Sequence, residues 1–118
     1  MKYMFIHTID PNTQHGTDDM PDFDSWLQEM LARGVTLHGD RLQDVSDATT
    51  VQVRNREMLV SDGPFAETKE LIAGYDVIEC ADLDEAIEIA AKHPTAWLGS
   101  IEVRPIQGDR CGSPAEAG

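Results

Sequence analysis

The chain opens with a run that is apolar on both alternating faces. In Lys2–Ile9, Met4 and Ile6 fall on one side, Tyr3 and Phe5 on the other. That pattern predicts a strand buried on both sides and central in its sheet. Residues 10–19 (DPNTQHGTDD) are turn-rich and predict a loop. From Met20 to Arg33 the apolar positions are Met20, Phe23, Trp26, Leu27, Met30 and Leu31, the three-and-four spacing of one helical stripe. Asp18 or Asp19 is the expected cap, Pro21 suits the first turn and Gly34 the stop.

Residues 35–42 (VTLHGDRL) predict a second strand, interrupted near Gly39. Thr49–Arg54 and Met58–Ser61 flank the turn Arg54-Asn55-Arg56-Glu57 as a hairpin. After the loop Asp62–Glu70 comes a strand over Leu71–Cys80, again with adjacent apolar residues at Val77 and Ile78. Asp82-Leu83-Asp84-Glu85 resembles a capping box, with Asp82 as cap and Glu85 three residues on. The helix it starts carries Leu83, Ala86, Ile87 and Ala90 on one face and ends before Pro94. In the last strand, Gly99–Ile106, Ile101 and Val103 alternate with Glu102 and Arg104. Residues 107–118, rich in Gly, Ser, Pro and Ala, predict a disordered tail.

The expected order is therefore β-α-β-(hairpin)-β-α-β in a single domain over 1–106: a ferredoxin-like α+β fold with two helices on one face of an antiparallel sheet. Each helix has a single apolar stripe, so together they cover one sheet face. The doubly apolar strands need cover on the other, and a second copy of the chain supplies it most economically. A homodimer is the expectation.

Charge narrows the partners. Across 118 residues, 22 acids against 9 bases give a formal charge of −13. Without a basic patch to displace counterions, neither nucleic acid nor an anionic membrane is an expected partner. Only Cys80 and Cys111 are present, which supports neither a disulfide framework nor a zinc site. The first residues lack a signal-peptide pattern, and no apolar run approaches the length of a membrane span. The expected location is the cytoplasm.

Candidate chemistry is scattered. His38-Gly39-Asp40 is the best local pairing of imidazole and acid; residues two apart in a strand share a side, and a carboxylate beside an imidazole suits acid–base work. The plain alternative is an exposed His at a strand end. His7, in the doubly apolar first strand, is a candidate for the interior of a barrel, or else a core or interface residue. His15 and His93 read as surface residues. Four His with no i, i+4 pair give no expected metal site, and no glycine pattern marks a nucleotide cofactor. Asp62-Gly63-Pro64-Phe65 has a structural reading as a turn, with Asp62 accepting backbone N–H bonds, Gly63 at positive φ and Phe65 packed inward. Alternatively it forms a pocket wall, with Asp62, Phe65 and Lys69 as substrate-binding candidates and Lys69 holding an anionic group. Glu102 and Arg104, opposite Ile101 and Val103, either link a dimer or line a polar cavity.

Several of these segments together carry a resemblance. Asp62–Glu70, Asp82-Leu83-Asp84-Glu85-Ala86, Ile101-Glu102-Val103-Arg104-Pro105, the opening Met1-Lys2-Tyr3-Met4 and the strand entry Ala48-Thr49-Thr50-Val51 are similar to the YCII-related proteins, more narrowly to the branch named for its Asp-Gly-Pro-Phe motif. The resemblance covers residues 1–106. It implies a dimeric α+β barrel, in which two ferredoxin-like sheets face one another. Many members of that branch are associated with extracytoplasmic-function sigma factors. The wider family includes proteins with a His-Asp pair suspected of acid–base catalysis, its His near the start of the first helix. Here that helix start reads Met20-Pro21-Asp22-Phe23-Asp24 and contains no His. Two functions follow as expectations: a small-molecule binder or acid–base enzyme with its pocket near the Asp62–Glu70 loop, or a non-catalytic accessory protein acting through protein contacts, one such partner being a sigma factor.

Overall fold

The computed structural model describes residues 1–9, 19–63 and 71–107. The described residues form strands β1 (Lys2–Ile9), β2 (Thr36–Arg41), β3 (Thr49–Arg54), β4 (Glu57–Asp62), β5 (Leu71–Glu79) and β6 (Gly99–Pro105), with helix α1 (Phe23–Arg33) between β1 and β2, and α2 (Leu83–Ala91) and the short α3 (Thr95–Leu98) between β5 and β6. A four-stranded antiparallel sheet has the order β2-β5-β1-β6, while β3 and β4 form a separate two-stranded ribbon. This α+β arrangement is compatible with a ferredoxin-like fold. The doubly apolar β1 is indeed an inner strand, paired on both sides.

Local chemistry sets the helix ends. Asp22, not Asp18 or Asp19, caps α1: its extended backbone lets the carboxylate accept from Ser25 N–H at 3.1 Å. Gly34 at φ 72° ends the helix, its N–H bonding to Leu31 O and that of Val35 to Met30 O, a Schellman closure. Asp82 caps α2 as expected, but the Glu85 carboxylate reaches Ala81 N–H, one residue earlier than in a reciprocal box. The short helix α3 has no counterpart in the predicted elements.

Period-2 alternation sorts β1. Tyr3, Phe5 and His7 are buried beneath the helices; Met4 and Ile6, on the opposite face, are partly covered. The core joins Tyr3 and Phe5 to Ile78, Trp26 and Met30 of α1, and Ala86 and Ile89 of α2. Trp26 spans the two helices by donating its indole N–H to Ile89 O at 3.0 Å. Around the outside, Arg33 joins α1 to Glu88 and Glu85 of α2. Its guanidinium pKa is raised by Glu88 above all, with Glu85 and Glu29 adding to it.

Two irregularities shape the region below α1. Along β5 the register with β1 shifts between His7↔Gly74 and Thr8↔Ile72, leaving Ala73 as an extra residue. Along β2 it shifts between Thr36↔Ile78 and His38↔Val77, leaving Leu37 extra. A bulge moves every later side chain to the other face. Thr36 therefore lies on the helix-covered side with Ile78, whereas His38 and Asp40 fall on the open side. Gly39 takes the helix-side position opposite Asp76. The predicted interruption near Gly39 is thus a bulge at Leu37, and β2 runs continuously through Gly39.

Candidate active site

His7, Asp76 and His93 meet beneath the first turn of α1. His7 comes from β1, Asp76 from the adjacent β5 and His93 from the turn joining α2 to α3. His7 Nε2 and Asp76 Oδ2 are 2.6 Å apart, and His93 Nε2 lies 3.9 Å from the same oxygen. The two imidazole rings are 4.3 Å apart, with His93 set edge-on against Trp26. Only 5% of His7 and 6% of His93 is exposed. Hydrogen-bonding groups this deeply buried need partners to offset the loss of water.

Those partners fix the proton positions. Thr95 N–H donates to His93 Nδ1 at 3.0 Å, so that nitrogen holds a lone pair and the neutral ring carries its proton on Nε2. Burial, aided by the nearby His7, pushes the His93 pKa down to about 4 against the opposing pull of Asp76. His93 is therefore a neutral hydrogen-bond donor at ordinary pH. His7 donates from Nε2 to Asp76, while its Nδ1 is buried with no partner among the described residues. The other Asp76 oxygen, Oδ1, overhangs Gly39, where a Cβ atom would lie 1.9 Å from it.

The three residues border a cavity of about 460 Å³ whose walls include Phe23 and Leu27 of α1, Leu98 of α3, and Thr36, with Arg41 also among the lining residues. Thr36 Oγ1 is a second buried polar atom without a partner among the described residues. A mainly apolar cavity with a few convergent polar groups is the usual form of a small-ligand site.

Each of the three side chains offers a ligand atom within 4.8 Å of the others, which is metal-like spacing for two His and one carboxylate. The hydrogen bonds do not fit a metal. An imidazole bound through Nε2 carries its proton on Nδ1 and needs an acceptor there. His93 Nδ1 faces a donor instead, and His7 Nδ1 faces no acceptor among the described residues. The donor set suits proton transfer.

The sequence candidates are distributed differently. His7 points under the helices with Tyr3 and Phe5, not toward the open face where a barrel interior would lie. His93, expected at the surface, is buried in the cluster because the α2–α3 turn folds it back onto Trp26. His38 and Asp40 do share the open face, but the hydrogen bond His38 makes is with Tyr75 Oη, at 2.9 Å to Nδ1. Glu102 and Arg104 pair with each other at 3.4 Å on that face, both exposed. Asp62 ends β4 opposite Thr49, and Gly63 takes the expected positive φ, 93°, with its N–H on Ala48 O and its carbonyl accepting from Thr50 Oγ1. Phe65, Lys69, His15, Cys111 and residues 108–118 lie outside the described residues. Asp76 was not among the candidates. Its signal was a lone carboxylate inside an otherwise apolar strand, where Asp is disfavoured without a reason.

A one-sided antiparallel sheet with a buried His-Asp-His cluster opening on a ligand-sized cavity defines a small α+β domain with a candidate active site. The chain belongs to the YCII-related family, whose domain model matches residues 1–108. It is also 46% identical over 68 residues to an uncharacterised protein of Rhizobium meliloti (strain 1021), a match covering 56% of this chain and 55% of that protein.

Proposed function

We propose that the protein is a small-molecule enzyme working by general acid–base chemistry in the cavity under α1 and α3. The observation that carries this is the buried 2.6 Å contact between His7 and Asp76 at the cavity wall. In this reading Asp76 is the base: His7 holds Oδ2 by a short charge-assisted bond, and Oδ1 is left for a substrate proton. Because His7 Nδ1 is buried without a partner among the described residues, His7 serves as a positioning residue.

The reading extends to membership of the Asp-Gly-Pro-Phe branch, to a cytoplasmic location and to a dimeric α+β barrel. Support for the dimer lies in apolar surface away from the helices. Met4, Ile6 and Val77 sit on the open sheet face, and Val51, Val53, Met58 and Val60 share one face of the β3–β4 ribbon, each more than half exposed. The same ribbon supports the second reading, an accessory protein acting through contacts with another protein.

A fragment screen by NMR tests the choice. Small aromatic and carbonyl fragments that shift the ring signals of His7 and His93, and leave those of His38 unmoved, support the enzyme reading. A cavity that binds none of them sinks it.

A further inference from the structure

The neutral state of His93 points to a class of substrate. Three residues of the cavity wall have polar atoms that no hydrogen bond among the described residues occupies: Thr36 Oγ1, which is buried, Asp76 Oδ1 and, by its tautomer a donor, His93 Nε2. A donor that faces a cavity without a protein partner is completed by water or by a ligand. The acceptor this one could take is constrained by its neighbour, since the Nε2–H stands only 3.9 Å from the carboxylate already assigned as base.

We propose that His93 is a further catalytic residue, donating its Nε2–H to the carbonyl oxygen of an enolisable substrate while Asp76 removes a proton from the adjacent carbon. This rests on the acid–base reading above and deepens it. The step balances without a co-reactant. The C–H electron pair becomes the C=C bond, the carbonyl π pair moves to oxygen, and the proton rests on Asp76. If the Asp76 proton is replaced by one from solvent before return to the same carbon, the result is isotope exchange; delivery to the enolate oxygen gives the enol. A neutral imidazole suits the task, because a fixed donor stabilises the oxygen charge as it develops and does not ion-pair with the adjacent base. The Thr95 N–H holds the tautomer, and packing against Trp26 and Phe23 holds the ring. Phe23, Leu27 and Leu98 favour an apolar or aromatic body on the carbonyl, and Arg41, also lining the cavity, suits a carboxylate beside it.

The test uses the full chain with phenylacetaldehyde, 4-phenyl-2-butanone and phenylpyruvate in D2O, following loss of the α-proton signals by NMR. The expected result is exchange faster than in buffer for at least one probe. His93→Leu should lower it by on the order of 10²-fold, His93→Gln, which keeps an N–H donor, should restore part of it, and Asp76→Asn should abolish it. In parallel, two-bond ¹H–¹⁵N spectra of the unliganded wild type should place the His93 proton on Nε2, a measurement that needs no variant to fold. Exchange that survives His93→Leu, a proton on Nδ1, or no acceleration with any probe overturns the proposal. If fragments still bind at His7 and His93 when no probe exchanges, the carbonyl assignment alone is lost and the acid–base reading stands.

Discussion

Gly39 makes room for the Asp76 carboxylate. The two face each other across the β2–β5 pairing, and a methyl group on Gly39 would fall 1.9 Å from Asp76 Oδ1 and 2.9 Å from Tyr75 O. Gly39→Ala should therefore push the carboxylate off its position or part the strands. The expected cost is about 1–3 kcal/mol in chemical denaturation, together with a weakened His7–Asp76 coupling seen as a shift of the His7 ring signals. A stable variant with unchanged His7 signals would contradict this placement.

Asp76 and His7 should be separable by substitution. Asp76→Ala leaves the buried His7 Nε2–H without its acceptor and should cost about 1–3 kcal/mol. Asp76→Asn keeps an acceptor and the shape, so it should cost less while removing the base. Equal losses from the two variants would mean that the acceptor does not matter. Thermal or urea unfolding of both beside the wild type settles the comparison.

His93 should make the fold acid-sensitive. Its folded pKa, about 4, lies below the ordinary value of 6.5, because burial disfavours the charged ring. Between those values the unfolded chain binds more protons, so stability rises with pH. The contribution is complete above pH 6.5 and is lost as pH falls toward 4, with a ceiling of about 3 kcal/mol. His93→Gln should flatten that part of the curve. A wild type and variant with parallel profiles between pH 4 and 6.5 would show that His93 is not held neutral.

The ribbon should govern association. Val51 pairs with Val60 and Val53 with Met58, placing four exposed apolar side chains on one face. A Val53→Lys, Met58→Lys double variant should sediment as a monomer where the wild type sediments as a dimer, with its secondary structure intact. A wild type that is monomeric at all concentrations removes the dimer; a dimer that survives the charges moves the interface elsewhere, to the open sheet face.

Much of the architecture was legible in residue order. Double-faced apolarity in Lys2–Ile9 marked the inner strand, and the stripe through Trp26 and Met30 marked the helix that covers it. Period-2 parity already grouped His7 with Tyr3 and Phe5. What parity could not say was which of the two faces the helices would take. Nor could it register the extra residue at Leu37, which sends His38 to the open face and aligns Gly39 with Asp76. The nearest His and acid in sequence, His38 and Asp40, consequently stand apart from the buried cluster.

The sequence by itself determined the class of fold, the family, the Gly34 stop of α1 and the Asp82 cap of α2, because these follow from local periodicity, caps and short motifs. The site belongs to the tertiary structure. His7, Asp76 and His93 have no fixed spacing, and they meet because antiparallel pairing sets β1 beside β5 and the turn after α2 returns to the same sheet end. Chain folding brings distant positions to a common carboxylate, burial keeps His93 neutral, and the Thr95 N–H decides which of its nitrogens keeps the proton.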